Sequence, residues 1–245
     1  MRIILAPAKK MIENNDDFNH KDLPVFLKRS EALLNEMKGM TFHELKKMWN
    51  CSDKIAKENQ IRLQMMDLKK GLAPALFSYV GLAYQYMAPD IFTENELEYV
   101  QNHLRILSGF YGVIKPFDGI RSYRLEMQQA LPKIGNLYDF WKDTIYKEVM
   151  DKDRIVINLA SKEYSKCIED YLTDKDIYIN IVFGELKNGK VIQKGNMAKM
   201  ARGEMVRWMA EHAITSIKEI KNFNMHYYFE EKYSSDREFV FIRGD

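Results

Sequence analysis

Arg154-Ile155-Val156-Ile157-Asn158-Leu159-Ala160-Ser161-Lys162-Glu163-Tyr164 is the stretch on which the reading of this chain turns. Arg154 to Leu159 is a short run of apolar and β-branched residues, too short for a helix, and reads as a buried strand. Asn158 and Ser161 stand at its end, and Ser161 precedes a short helix whose first N–H groups have no intrahelical acceptors. The N-terminus repeats the arrangement. Arg2 to Leu5 reads as a second buried strand, stopped at Pro7, with Lys9 just beyond it. Met1 to Leu5 begins like a secretory leader, but its apolar run ends at Pro7 and Lys9 and Lys10 follow at once, so a strand is the better account. Two strands that each end in polar residues suggest a sheet with a ligand at its rim, because strand ends are where ligands collect in such sheets.

Strand and helix signals alternate outward from these two points. Pro24 opens a helical segment closed by Gly39. Thr41 and Glu44 have the spacing of a capping box, and Ser52 caps a helix that runs to about Lys70. Ala75 to Val80 reads as a strand and Gly81 to Met87 as a short helix. Thr93 begins another helix, with Glu94, Glu96 and Glu98 toward the positive end of its dipole. Tyr123 to Met127 alternates as a strand does, and Leu137 to Met150 is helical. Asp176 to Phe183 is a strand leading to a turn at Asn188-Gly189, then Val191-Ile192. Asn196 caps a long helix to about His212, and Phe239 to Arg243 closes the chain as a strand. No linker, repeat or low-complexity tract interrupts the series. The expectation is an α+β protein, residues 1–245 forming one domain, with a mixed sheet surrounded by helices.

Composition narrows the functions. Of the 245 residues 46% are hydrophobic and 29% charged, which is ordinary globular usage. No apolar window is long enough to span a bilayer, so no membrane partner is expected. The two cysteines, Cys51 and Cys167, form no CxxC pair. They read as reduced packing residues of a cytoplasmic protein, with a peroxide-sensing thiol as the alternative. The five histidines have no metal-ligand spacing, so neither a metal nor another cofactor is expected. No P-loop, nucleophile elbow or dinucleotide fingerprint is present.

Charge is informative only locally, because the net charge is +2. From Leu186 to Gly203 the charged residues are Lys187, Lys190, Lys194, Lys199 and Arg202, without an acid among them. That pattern fits a phosphate-binding surface or a solvated face. On a wheel advancing about 100° per residue from Lys199, Ala201, Met205, Trp208 and Met209 occupy an arc of about 180–280°. Val206 extends the apolar sector to about 340°, so Arg202, at about 300°, falls inside it, whereas Arg207 lies beyond its edge at about 80°. A guanidinium turned toward a core needs an anion. Glu126 within the chain or a bound phosphate would serve. In Tyr123-Arg124-Leu125-Glu126-Met127, Arg124 and Glu126 share one face, opposite the apolar trio. Lys9, Arg124, Ser161 and Arg202 are therefore the candidate anion pocket, with Glu126 and Ser161 as the candidate catalytic pair. Ser161 could equally serve only as a helix cap. Tyr138 and Trp141 read as core.

Leu104 to Gly112 admits two readings. It is a helix with a Gly109-x-x-Gly112 turn, in the manner of a helix-hairpin-helix element gripping a DNA phosphate, or a strand and turn in the core. Arg105, Lys115 and Arg121 add positive charge on the first reading.

Five segments, in order, resemble the YaaA peroxide-stress family. They are Ala6-Pro7-Ala8-Lys9; Leu107 to Gly112 with Pro116 and Asp118; Tyr123 to Met127; Leu137 to Trp141 together with Asn158 to Tyr164; and Ala198 to Gly203. The resemblance covers nearly the whole chain. It implies a compact, cantaloupe-like fold with a helix-hairpin-helix element and a cytoplasmic role in surviving hydrogen peroxide. That role is to keep unincorporated iron low and to bind DNA, double-stranded and without sequence preference. Under this implication Arg105, Gly109, Gly112, Lys115, Arg121, Lys187, Lys190, Lys194, Lys199 and Arg207 would contact DNA. The alternative is an enzyme acting on a small phosphorylated or nucleotide-like substrate in the Lys9, Arg124, Glu126, Ser161 and Arg202 pocket. Two departures stand out. Ala6 replaces the family's usual serine, removing a hydroxyl beside Lys9. Lys142 replaces its usual glycine, which implies a change confined to a helix surface.

Overall fold

The structure is a computed structural model that describes residues 1–13 and 18–244. Eight strands form one mixed sheet: β1 (Arg2–Leu5), β2 (Leu104–Ser108), β3 (Gly112–Ile114), β4 (Ile155–Asn158), β5 (Ile177–Lys187), β6 (Lys190–Ile192), β7 (Tyr227–Phe229) and β8 (Glu238–Arg243). Their order is β7-β8-β5-β4-β1-β2-β3, with β6 folded back on β5. The inner run from β8 to β2 is parallel, and antiparallel hairpins finish both sides. Strands that begin at residue 2 and end at residue 243 therefore share one sheet, which makes the described chain a single α+β domain.

Eleven helices are found among the described residues. The first six are α1 (Leu27–Lys38), α2 (Phe42–Trp49), α3 (Asp53–Met65), α4 (Ala75–Ser78), α5 (Leu82–Met87) and α6 (Glu94–His103). Then come α7 (Leu137–Trp141), α8 (Thr144–Val149), α9 (Lys162–Glu169), α10 (Gly195–Glu211) and α11 (Ile217–Ile220). The Thr41/Glu44 capping box forms in full, Ser52 caps α3, and Thr93 with Glu96 caps α6. The Asn188-Gly189 turn joins β5 to β6 with positive φ at both residues, as a tight hairpin requires. Among the described residues no helix is long and apolar enough to cross a membrane.

Local pattern misleads in five places. Ala75 to Ser78 is one turn of helix rather than strand, and all four residues are buried. A short, largely apolar run carries no period by which to choose. Tyr123 to Met127 forms no strand: Tyr123 to Glu126 have no regular structure, Met127 begins a turn, and no strand among the described residues pairs with them. The 137–150 segment is two helices broken at Lys142, whose φ of 48° lies in the left-handed region. The glycine-to-lysine departure thus falls on a backbone corner and not on a helix surface. Lys194, not Asn196, precedes α10, and no side chain caps that helix.

The fifth place is Leu104 to Gly112. It is β2, a turn and the start of β3, an antiparallel hairpin pairing Ile106 with Ile114 and Ser108 with Gly112. Every residue from Leu104 to Ile114 is buried. A helix-hairpin-helix element is not what this segment forms, because its backbone pairs in the sheet, β2 lying between β1 and β3. The glycines make room for protein. A Cβ on Gly109 would lie 2.6 Å from the Leu125 carbonyl oxygen, and one on Gly112, where φ is +77°, would meet the Trp141 ring at 2.9 Å. Ser108 Oγ accepts the N–H groups of Phe110 and Tyr111 and closes the turn.

Candidate functional site

The inner strands β4 and β1 are parallel neighbours, so their chain exits leave the sheet side by side. Beyond β1 the backbone turns through Ala6 to Lys10, and beyond β4 it passes Leu159 into Ser161 and α9. The N–H of Leu159 still donates to the Ile4 carbonyl at 2.9 Å, holding the two exits together. Two further elements close over this end of the sheet. The 123–127 segment lies against the β2–β3 turn, seated by the missing side chain of Gly109. Its position is pinned where Trp49 Nε1 donates to the Arg124 carbonyl at 2.5 Å. Helix α10 crosses α5 so closely that a Cβ on Gly203 would sit 1.9 Å from the Ala83 carbonyl oxygen.

These elements enclose a cavity of about 410 Å³. Lys9, Arg124, Glu126, Ser161 and Arg202 all border it. So do Lys199 and Glu163, together with the rings of Tyr84, Tyr123 and Tyr164. Residues distant in the chain are thus brought to one place, in a volume suited to a small ligand.

Arg202 borders this cavity and makes no ion pair with a carboxylate among the described residues. Its Nε is buried and has no hydrogen-bond partner. Burial alone pushes the guanidinium below its ordinary pKa, with no acid opposing the shift. Glu126 pairs elsewhere: its Oε1 lies 2.8 Å from Lys9 Nζ, with the carboxylate sheltered and the lysine 67% exposed at the rim. Arg124 donates to the Trp49 carbonyl at 3.4 Å and keeps a buried, unpartnered Nε of its own. Ser161 precedes α9 but its side chain makes no capping bond. Asn158, by contrast, is consumed locally, donating to Asn180 Oδ1 at 2.7 Å and accepting the Ala160 N–H at 2.8 Å.

Pattern alone did not mark Glu163, Tyr84 or the tyrosine hydroxyl chain. Glu163 Oε1 accepts the Gln128 N–H at 3.3 Å. Its carboxyl is raised above the usual range, first by burial and further by Glu126. Its place two residues after Ser161, in the same helical turn, was the available signal. Tyr84 donates to the Ala6 carbonyl at 3.1 Å. Ser108 donates to the Tyr123 hydroxyl at 2.7 Å, and Tyr79 stands 2.9 Å from it. Burial lifts the Tyr123 hydroxyl to about 12, so all of these remain neutral.

The remaining candidates divide. Arg105 is 6% exposed and donates to the Gln101 and Leu104 carbonyls, with burial depressing it to about 10. It belongs to the interior and is out of reach of a DNA phosphate, as are Gly109 and Gly112. Arg121 is engaged by Glu13 at 3.0 Å and by the Lys70 carbonyl at 3.1 Å. Lys115 is half-buried beside Asp118. Lys194 pairs with Glu185 at 2.6 Å and Arg207 with Glu211 at 2.7 Å. Lys187, Lys190 and Lys199 are exposed and take part in no ion pair among the described residues. Cys167 is buried and its thiol is raised to about 12, the environment of an inert packing cysteine. Among the described residues no group of three or more His, Cys, Asp or Glu side chains could hold a metal ion.

A model of the peroxide stress protein YaaA family matches residues 1–233. The chain belongs to that family. It is 54% identical to a UPF0246 protein of Agathobacter rectalis, over 99% of both chains. A UPF0246 protein of Pediococcus pentosaceus is 48% identical over 100% of this chain and 99% of its own, and one of Lachnoclostridium phytofermentans is 47% identical over 100% and 97%. Membership supports a role in peroxide stress.

Proposed function

We propose that this YaaA-family chain serves the peroxide-stress response in the cytoplasm by holding free iron low and sparing DNA from oxidation, and that it works through the strand-end cavity, which binds a small phosphorylated or nucleotide-like anion. The observation that carries the reading is Arg202, which borders that cavity and, among the described residues, makes no ion pair and keeps a buried Nε without a hydrogen-bond partner. Water solvates a lone cation well and a protein interior does not, so a buried cation without an acid is suited to an anion from outside. Arg124, with its own orphaned Nε, and Ser161 at the start of α9 reinforce it. The test has two arms. Titration of the purified protein with inorganic phosphate should show saturable binding that Arg202→Met weakens at least tenfold. In a strain lacking its own copy, the wild-type chain should restore peroxide survival and low chelatable iron, and Arg202→Met should not. Full restoration by Arg202→Met overturns the reading.

If the bound anion is chemically transformed, Glu126 is the acid/base group, because its sheltered carboxylate reaches the cavity and Lys9 holds it in place. Direct contact with duplex DNA is the second reading, favoured by the exposed, unpaired Lys187 and Lys190 on the β5–β6 hairpin and by Lys199 near the cavity mouth. Each phosphate neutralised adds about 0.9 to the logarithmic salt slope of binding. Lys187→Gln with Lys190→Gln should therefore lower that slope by about 2 if both lysines touch phosphate. An unchanged slope removes the hairpin from the interface.

A further inference from the structure

We propose that the ligand of this cavity is a guanine mononucleotide, its phosphate on Arg202 with Lys199 and the N–H edge of its base on the Glu163 carboxylate. The assignment rests on the anion-binding reading above and adds the identity of the other end of the ligand.

The cavity has two chemically different ends. Lys199 and Arg202 are three residues apart on α10 and so share one face of that helix. The acids form a separate group with Lys9. Glu126 lies 2.8 Å from the Lys9 ammonium, and Glu163 accepts the N–H of Gln128, two residues beyond Glu126. Arg202 makes no ion pair among the described residues, although Glu126 and Glu163 border the same cavity. Lys199 and Arg202 stand on α10 and the acids on the 123–127 segment and α9, so the two kinds of charge come from different walls of the cavity. A bare phosphate or sulfate would use only the first of them.

Much of the remaining lining is planar or apolar, including Tyr84, Tyr123, Tyr164, Leu5 and Leu125. The tyrosine rings are rigid surfaces on which a flat base can lie, and a volume of about 410 Å³ has room for a ring and a phosphate together. At the acidic end, an ionised carboxylate accepts hydrogen bonds and donates none. Guanine presents two adjacent donors, N1–H and the 2-amino group, and matches such a fork. Adenine offers one amino group beside a bare ring nitrogen, which a carboxylate repels. Hypoxanthine keeps N1–H and loses the amino group. Glu163 is held for this task, since the Gln128 N–H fixes Oε1 and the start of α9 fixes the backbone.

Calorimetric titration of the full chain with inorganic phosphate, ribose 5-phosphate, GMP, IMP and AMP at fixed ionic strength tests both ends. GMP is expected to bind at least tenfold more tightly than AMP, with IMP between them. Glu163→Gln should erase the GMP preference and leave ribose 5-phosphate binding unchanged, whereas Arg202→Met should weaken every phosphorylated ligand. Equal affinity of the wild type for GMP, AMP and ribose 5-phosphate would overturn the base assignment and leave the anion cavity standing. So would a GMP preference that survives Glu163→Gln. Failure of the wild type to bind any of the five would overturn the anion cavity as well. The wild-type ranking alone decides the base assignment if either variant fails to fold.

Discussion

The turn at Gly109–Gly112 and the chain exits beyond β1 and β4 look alike in sequence. Each places small or polar residues after an apolar strand, with basic residues near, and each could be read as a phosphate grip. In the structure they have opposite character. At the turn every polar need is met from within. Ser108 closes it, Trp141 donates to the Gly109 carbonyl at 3.0 Å, and the glycine clearances are filled by Leu125 and Trp141. At the strand exits Arg202 makes no ion pair among the described residues, whereas Arg2, Arg121 and Arg154, whose Nε atoms are also without a hydrogen-bond partner, each face a carboxylate. A binding site is marked by unmet valence rather than by residue type.

The largest test of this contrast is Gly109→Ala. Its Cβ would stand 2.6 Å from one backbone atom and 2.9 Å from another in the 123–127 segment. Neither can yield as a side-chain tip does, so a loss of about 3 kcal/mol or more is expected in denaturant unfolding. Phosphate affinity should fall with it, because that segment carries Arg124 and Glu126 to the cavity. A turn that merely faced solvent would tolerate the methyl group.

Arg202→Met is the converse probe, costing ligand but not fold. Exchanging an uncompensated buried cation for an apolar side chain of similar length should leave stability unchanged or raise it. The same substitution should cost at least a factor of ten in anion affinity, or about 1.4 kcal/mol. A large drop in melting temperature would show that Arg202 is structural.

Asp118, next to the hairpin, tests the satisfied region by pH. Burial raises its carboxyl from 3.8 to about 6, despite the hydrogen bond from the Lys115 N–H. An acid whose pKa is raised on folding favours the fold fully below its unfolded pKa and loses that contribution as pH climbs through the folded value. Asp118→Asn keeps an acceptor for Lys115 and removes the charge. The stability of the variant relative to wild type should therefore improve by about 1–3 kcal/mol between about pH 4 and about pH 7. A pH-independent difference would mean that Asp118 is solvated.

The smallest effect is expected at Lys142. With φ at 48° it occupies a conformation that glycine adopts freely and other residues adopt at a cost. Lys142→Gly should raise stability by up to about 1 kcal/mol in thermal unfolding, without altering anion binding.

Much of this architecture was legible along the chain. β1, β4, β8, the α2 capping box, the acid-rich start of α6 and the Asn188-Gly189 hairpin each follow from signals a few residues long. Arg202 was readable as a misfit because a charge within the apolar arc of α10 is visible at helical period. The errors share a cause. Ala75 to Ser78 and Leu104 to Ser108 are short, fully buried stretches whose few polar residues keep no period, so pattern does not separate helix from strand there. Glu163 went unmarked because an acid early in a helix is ordinary, and only its neighbours distinguish it.

The sequence by itself determined which segments would be strands ending in polar residues and which helix would carry a cation toward the interior, since these depend on patterns within one or two turns of chain. Only the tertiary structure decided that Glu126 goes to Lys9 and leaves Arg202 unanswered, and that the two glycines of the hairpin admit protein instead of phosphate. Partner choice is a matter of distance in space, and no local pattern encodes which of several acids ends up within about 4 Å of a given cation.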